Sequence, residues 1–256
     1  MGETLRILII ICPLVFLAGI IDAVAGGGGL ITLPAYLIAG LPPHMATATN
    51  KCGSTFGTCS AALKFLRSGK MHIRSAATAA AAALLGSFLG AKLNLVVSDR
   101  ILSYILLAVV PVMALVLFLK RDFGAEDRSA ELGPVGLLLA SGGVGLAVGA
   151  YDGFFGPGAG TFLVLAFTRV CRFDLLNATG NAKLVNFASN FAALVTFAIN
   201  GQVLWAVGLP AAVCSILGNS LGAAWALKKS AGIVRPMLLL VMGLLLIRLA
   251  YDLFIK

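Results

Sequence analysis

The chain has 256 residues, 60% of them hydrophobic and only 11% charged, and its mean hydropathy is +1.02. A soluble domain carries about 25% charged residues to wet its surface, so a wholly water-facing protein is excluded. The net charge of +9 does not point to nucleic acid, because Lys and Arg sit in short gaps between apolar runs, as the positive-inside rule places them.

About twenty apolar residues at 1.5 Å rise cross the hydrocarbon core. The first such stretch, 5–25, carries Arg6 and an Ala-Val-Ala before glycine, the features of a cleavable signal peptide. The same segment recurs later in the chain, so it is read as a first span. A glycine cluster and a short apolar piece, 29–41, follow, and then long stretches at 46–66, 74–96 and 100–120. A stretch with both signs of charge, Lys120 to Glu131, separates these from a second series: 133–151, a short piece at 158–169, then 176–198, 203–226 and 234–254.

The two series match. Asp22 to Gly28 aligns with Asp152 to Gly158, and Ala48-Thr49 with Ala178-Thr179, at an offset of 130 residues. Lys51 with Lys183, Gly69 with Gly201, and Gly86 and Gly90 with Gly218 and Gly222 fit an offset of 132. Each half therefore reads long, short, long, long, long: residues 1–120 form one membrane repeat, 121–132 a soluble linker, and 133–256 a second repeat.

Loop charges set the orientation. The loop after the third piece of half one holds Lys64, Arg67, Lys70 and Arg74, whereas its counterpart around Asn200-Gly201-Gln202 is uncharged. After the fourth piece, half two holds Lys228, Lys229 and Arg235 where half one offers Lys92, Asp99 and Arg100. The approach to the third piece is uncharged at Pro42-Pro43 but carries Arg169 and Arg172 in half two. Basic loops face the cytoplasm, so equivalent loops lie on opposite sides. The expected fold is an all-α integral membrane protein, an inverted repeat in which each half has four long segments and one short segment after a glycine-rich break. Each half then makes an odd number of net crossings: either the short piece completes one, or the first two pieces form a hairpin.

The glycine runs are the most informative feature. Gly26-Gly27-Gly28-Gly29 and Gly156-Pro157-Gly158-Ala159-Gly160 break a helix at membrane depth, where unpaired backbone survives only inside protein or against a wet cavity. A short helix starting after each break aims its N–H groups at an anion, and two inverted breaks face each other near the midplane. The plainer reading is close helix packing through glycine. Asp22 and Asp152 each precede a break by four residues, and a membrane carboxylate needs a reason. Three compete: a cap on the broken backbone, a coupling proton, or an interface with a Lys.

The third pieces carry a polar face. Lys51, Ser54 and Thr58 stand at i, i+3 and i+7, as do Lys183, Asn186 and Asn190, with Asn50 and Asn181 at the helix entrance. Such a face points to the bundle interior or a cavity, and Lys, Asn and Ser supply the donors an oxyanion needs. The alternative for the lysines is snorkelling to headgroups. The five cysteines (Cys12, Cys52, Cys59, Cys171, Cys214) are unclustered, and His44 and His72 lie far apart. No metal or cofactor site and no catalytic set is expected.

Gly19 to Pro34 with its Asp22 and four glycines, followed by Ala46 to Lys51, resembles the TauE/SafE family of sulfite exporters and related permeases, and Asp152 to Gly160 with Ala178 to Asn190 resembles that family's second repeat. The resemblance implies transport of sulfite, sulfonates or related organosulfur oxyanions without ATP. It maps the family's glycine motifs to Gly26–Gly29 and Gly156–Gly160, and its Asn-Lys element to Asn50-Lys51. In half two that element is split, as Asn181-Ala182-Lys183. The expected protein is therefore a multi-pass secondary transporter of a bacterial inner membrane, with lipid and a small anion as its partners and homo-oligomerisation left open. The rival readings are an anion channel and a non-transporting accessory subunit.

Overall fold

In the computed structural model, residues 2–102, 104–105, 108 and 126–228 are described. The described chain is helical: α1 (Gly2–Ala25), α2 (Gly29–Ile38), α3 (Pro43–Arg67), α4 (Ile73–Val96), a short 3₁₀ turn (Ser129–Leu132), α5 (Gly133–Phe154), α6 (Ala159–Arg169), α7 (Leu175–Ile199) and α8 (Trp205–Lys228). The expected span at 234–254, and all but the start of the one at 100–120, lie outside the described residues.

Helix ends follow local chemistry. Pro43 opens α3 at the first turn, where its missing N–H costs nothing. His72 caps α4 by accepting from Ser75 N, and Asp174 caps α7 by accepting from Leu176 N and Asn177 N.

Among the described residues, five helices are long and apolar enough to cross a membrane: α1, α4, α5 with its preceding turn, α7 and α8. Rows such as Leu85, Leu89 and Leu93 on α4, and Leu209, Val213, Leu217 and Leu221 on α8, are exposed, as a lipid-facing stripe requires. α3 is as long, at 25 residues, but it is rich in polar residues and is buried along most of its length. It is an interior helix, packed against α7 and α8.

Glycines bring the helices to backbone contact. A Cβ on Gly218 or Gly222 of α8 would meet the carbonyls of Phe16 and Ile20 on α1, and one on Gly86 or Gly90 of α4 would meet those of Leu146 and Ala150 on α5. In each pair the residue numbers rise together, so α1 runs parallel to α8, and α4 parallel to α5. α3 runs with α8, Gly53 facing Ala211 and Gly57 facing Ser215. It runs against α7: Lys51 meets Asn190, while Phe65 lies near Gly180. α2 turns back on α1, with Leu30, Ile31, Leu33 and Tyr36 sharing a core with Ile11, Val15, Ala18 and Ile21.

Candidate functional site

The two glycine breaks meet at the centre of the molecule. Gly26 has φ +78 and Gly158 has φ +78, values that favour glycine. Gly26 packs on the backbone of Gly160 and Thr161, so closely that neither glycine has room for a Cβ. Thr161 N donates to Gly26 O at 3.0 Å, and Thr161 Oγ1 donates to Ala25 O at 3.0 Å. Each break thus supplies part of the other's hydrogen bonding, which is how irregular backbone survives at membrane depth.

On either side of this crossing lies a buried ion pair that joins the two halves of the sequence. Lys51 Nζ donates to Asp152 Oδ1 at 2.7 Å, and Lys183 Nζ donates to Asp22 Oδ2 at 2.9 Å. The lysines are the ninth residues of two 25-residue helices, α3 from Pro43 and α7 from Leu175. Their exposures are 1% and 0%, so neither reaches headgroups and the snorkelling alternative fails.

The pairs differ in their surroundings. Asp22 also accepts from Gly28 N through Oδ1 at 3.3 Å, so it both caps the break and holds a lysine; Lys183 donates in addition to the Asp22 carbonyl. Asp152 caps no backbone. Its Oδ2 accepts from Ser189 Oγ, and its lysine donates a second bond to Asn190 Oδ1 at 2.9 Å. Asn190 Nδ2 in turn donates to Asn186 Oδ1 at 2.6 Å, so one chain of polar groups runs Asp152, Lys51, Asn190, Asn186.

That chain borders a cavity between the two ion pairs. The space open to the centre of a water molecule is about 30 Å³, which admits a few waters. Among the expected site residues, Gly26, Gly28, Gly29, Asn50, Lys51, Ser54, Thr58, Gly156, Gly160, Asn186 and Asn190 line it, together with Asp22 and Asp152. Gly27, Gly158, Asn181 and Lys183 do not. Gly158 is the N-cap of α6, and Lys183 stands behind Asp22. Asn181 lies at the α3–α4 turn, accepting from His72 N at 2.9 Å. Its counterpart is Thr49, which accepts from Leu204 N at 3.0 Å. Thr49 and Asn181 each precede the lysine by two residues, so Asn50 and Asn181, which the sequence pairs as helix-entrance residues, have different places.

Sequence reasoning did not select Thr32, Ser215 and Asn219, which also line the cavity. Ser215 and Asn219 stand at i, i+4 in an otherwise apolar span, a periodic polar signal of the kind that marked α3. Gly57 leaves them room, since a Cβ there would strike Ser215 Oγ and come within 2.6 Å of Asn219 Nδ2. Thr32 Oγ1 and Asn219 Oδ1 are buried without a hydrogen-bond partner among the described residues.

The protein-family model described as "Sulfite exporter TauE/SafE" matches residues 11–249. This chain belongs to the TauE/SafE family. It is 38% identical to the "Probable membrane transporter protein YfcA" of Escherichia coli (strain K12), over 98% of this chain and 95% of that protein. It is 39% identical to "Probable membrane transporter protein ORF9" of Sinorhizobium sp, over 93% and 90% of the two chains. A "Probable membrane transporter protein" of Haemophilus influenzae is 38% identical over 93% and 92%. No solved structure matches. A TauE/SafE member with five apolar helices long enough to span is a multi-pass membrane protein, and the family is one of membrane transporters.

Proposed function

We propose that this TauE/SafE protein is a secondary transporter for a small oxyanion, sulfite or a sulfonate, in a bacterial inner membrane, and that its two halves are inverted. The observation that carries the reading is the buried cavity at the crossing of two broken helices, faced by the Lys51 ammonium and the amides of Asn50, Asn186 and Asn190. An ammonium and neutral donors in a water-poor pocket favour an oxyanion.

Helix directions support the inversion. α1 and α3 run one way with α8, whereas α5 and α7 run the other way with α4. The basic ends also gather. The Lys70–His72 turn adjoins the start of α7, where Phe173 rests 5.6 Å from the His72 ring, so Lys70 and Arg74 share an end with Arg169 and Arg172. Lys64 reaches Ser220 O at 2.8 Å, on the final turns of α8 before Lys228. One cationic end fits a cytoplasmic face.

The small cavity is walled by two ion pairs and closely packed glycine backbone, which favours a gated carrier over an open channel. Purified protein in liposomes should accumulate labelled sulfite or sulfonate with a rate that saturates. Absence of flux for every oxyanion tested, from correctly inserted protein, overturns the reading; flux that rises without saturation makes the protein a channel.

A further inference from the structure

The Lys51–Asp152 pair is neutral as it stands, and both partners line the cavity at 1% and 2% exposure. An anion arriving alone beside them adds an uncompensated negative charge at membrane depth, the arrangement buried sites tolerate least. An anion arriving with a proton adds none.

Two carboxyls border the cavity, and only one is placed to take that proton usefully. Protonating Asp22 would leave Lys183 only the Asp22 carbonyl and weaken the bond to Gly28 N, and Lys183 does not face the cavity. Protonating Asp152 at Oδ1 replaces the bond that Lys51 now makes there. Lys51 keeps its three protons, loses one acceptor, and has a donor to turn toward an anion. Asn190 Oδ1 still holds the ammonium at the cavity wall.

Among the described residues no other charge competes for Asp152. α3 presents Lys51 and α7 presents Ser189. α4 brings Ser87 and Asn94 to α5, while its Lys92 lies exposed over the Phe88 ring. The Tyr151 hydroxyl is committed to Pro157 O at 2.6 Å. On α6 the described charge is Arg169, in the last turn. We propose that Asp152 is a proton carrier: each monoanion bound at Lys51 enters with one proton on Asp152, so that the proton is the co-substrate. This inference rests on the oxyanion site proposed above.

The test counts protons. Methanesulfonate and isethionate stay monoanionic across the pH range of the experiment, so any proton taken up belongs to the protein. Calorimetric titration of the full-length protein in buffers of different ionisation enthalpy should give one proton per anion. Affinity should then rise about tenfold for each unit the pH falls. Asp152→Asn should bind with no proton uptake and no pH dependence, and Asp152→Glu should restore the proton. Binding without proton uptake by the wild type overturns the inference and leaves the anion site standing, as does a proton still taken up by Asp152→Asn. No binding of either sulfonate or of sulfite, in titration or thermal shift, overturns the anion site and the coupling together. Should Asp152→Asn fail to fold, the wild-type count still decides.

Discussion

The two ion pairs have matching ingredients and different settings. Lys183–Asp22 is closed on itself: the carboxylate holds the Gly28 backbone, the ammonium holds the Asp22 carbonyl, and the lysine is away from the cavity. Lys51–Asp152 is open, with side-chain partners in Ser189 and Asn190 and both charges at the cavity wall. The difference traces to a few side chains on α3 and α7. Where α7 has Ser189 and Asn190, α3 has Gly57 and Thr58 at the 132-residue offset. Gly57 has no side chain to offer Asp22, and Thr58 spends its hydroxyl on its own helix, on Ser54 O at 2.7 Å. The fold thus carries one pair suited to holding it together and one suited to changing partners.

The sharpest way to break this picture is at the crossing both pairs share. Gly26→Ala puts a methyl group into the backbone of Gly160 and Thr161 at a positive φ, and a cost above about 4 kcal/mol is expected. The measurement is the yield of monodisperse protein in detergent; normal yield would show that the breaks do not meet as described.

Next, Asp22→Asn should destabilise by about 3–5 kcal/mol, because it leaves the Lys183 ammonium buried without its counter-charge. Asp152→Asn should cost less, because Lys51 lines the cavity, where water can replace the lost carboxylate, and Lys183 does not. Equal falls in Tm would erase the distinction between the pairs. Lys51→Gln should then weaken oxyanion binding about ten- to a hundredfold, the span expected for one charged hydrogen bond. It should lower Tm as well, because it leaves the Asp152 carboxylate buried without its counter-charge. Asn190→Ala should cost about tenfold in affinity, read by the same titration. Smallest, Asn181→Ala should cost about 1 kcal/mol of stability and leave affinity unchanged, since Asn181 holds the His72 turn and does not face the cavity.

Much of the site could be read before the fold was seen, because its residues obey helical spacing. Lys51, Ser54 and Thr58, with Asn186 and Asn190, share faces dictated by 3.6 residues per turn, and a polar face in an apolar chain has few places to go. The described segment bounds fall within a few residues of those set by hydropathy. Partnership was less legible. Asp22 and Asp152 stand equally before their glycines, yet one caps its break and the other does not; the choice depends on Ser189, Asn190 and the bare Gly57 across the interface. Asn181 looks like a helix-entrance partner of Asn50, but the register of α7 against the α3–α4 turn gives it to His72.

The sequence by itself determined that lipid is the main solvent and that a glycine run follows a carboxylate at two places in the chain. These follow from composition, period and spacing, which are properties of segments. Only the tertiary structure decided which lysine meets which aspartate, because each ion pair spans more than a hundred residues of chain. It also decided which of the two pairs sets both of its charges at the cavity wall, because that depends on side chains brought together from several helices.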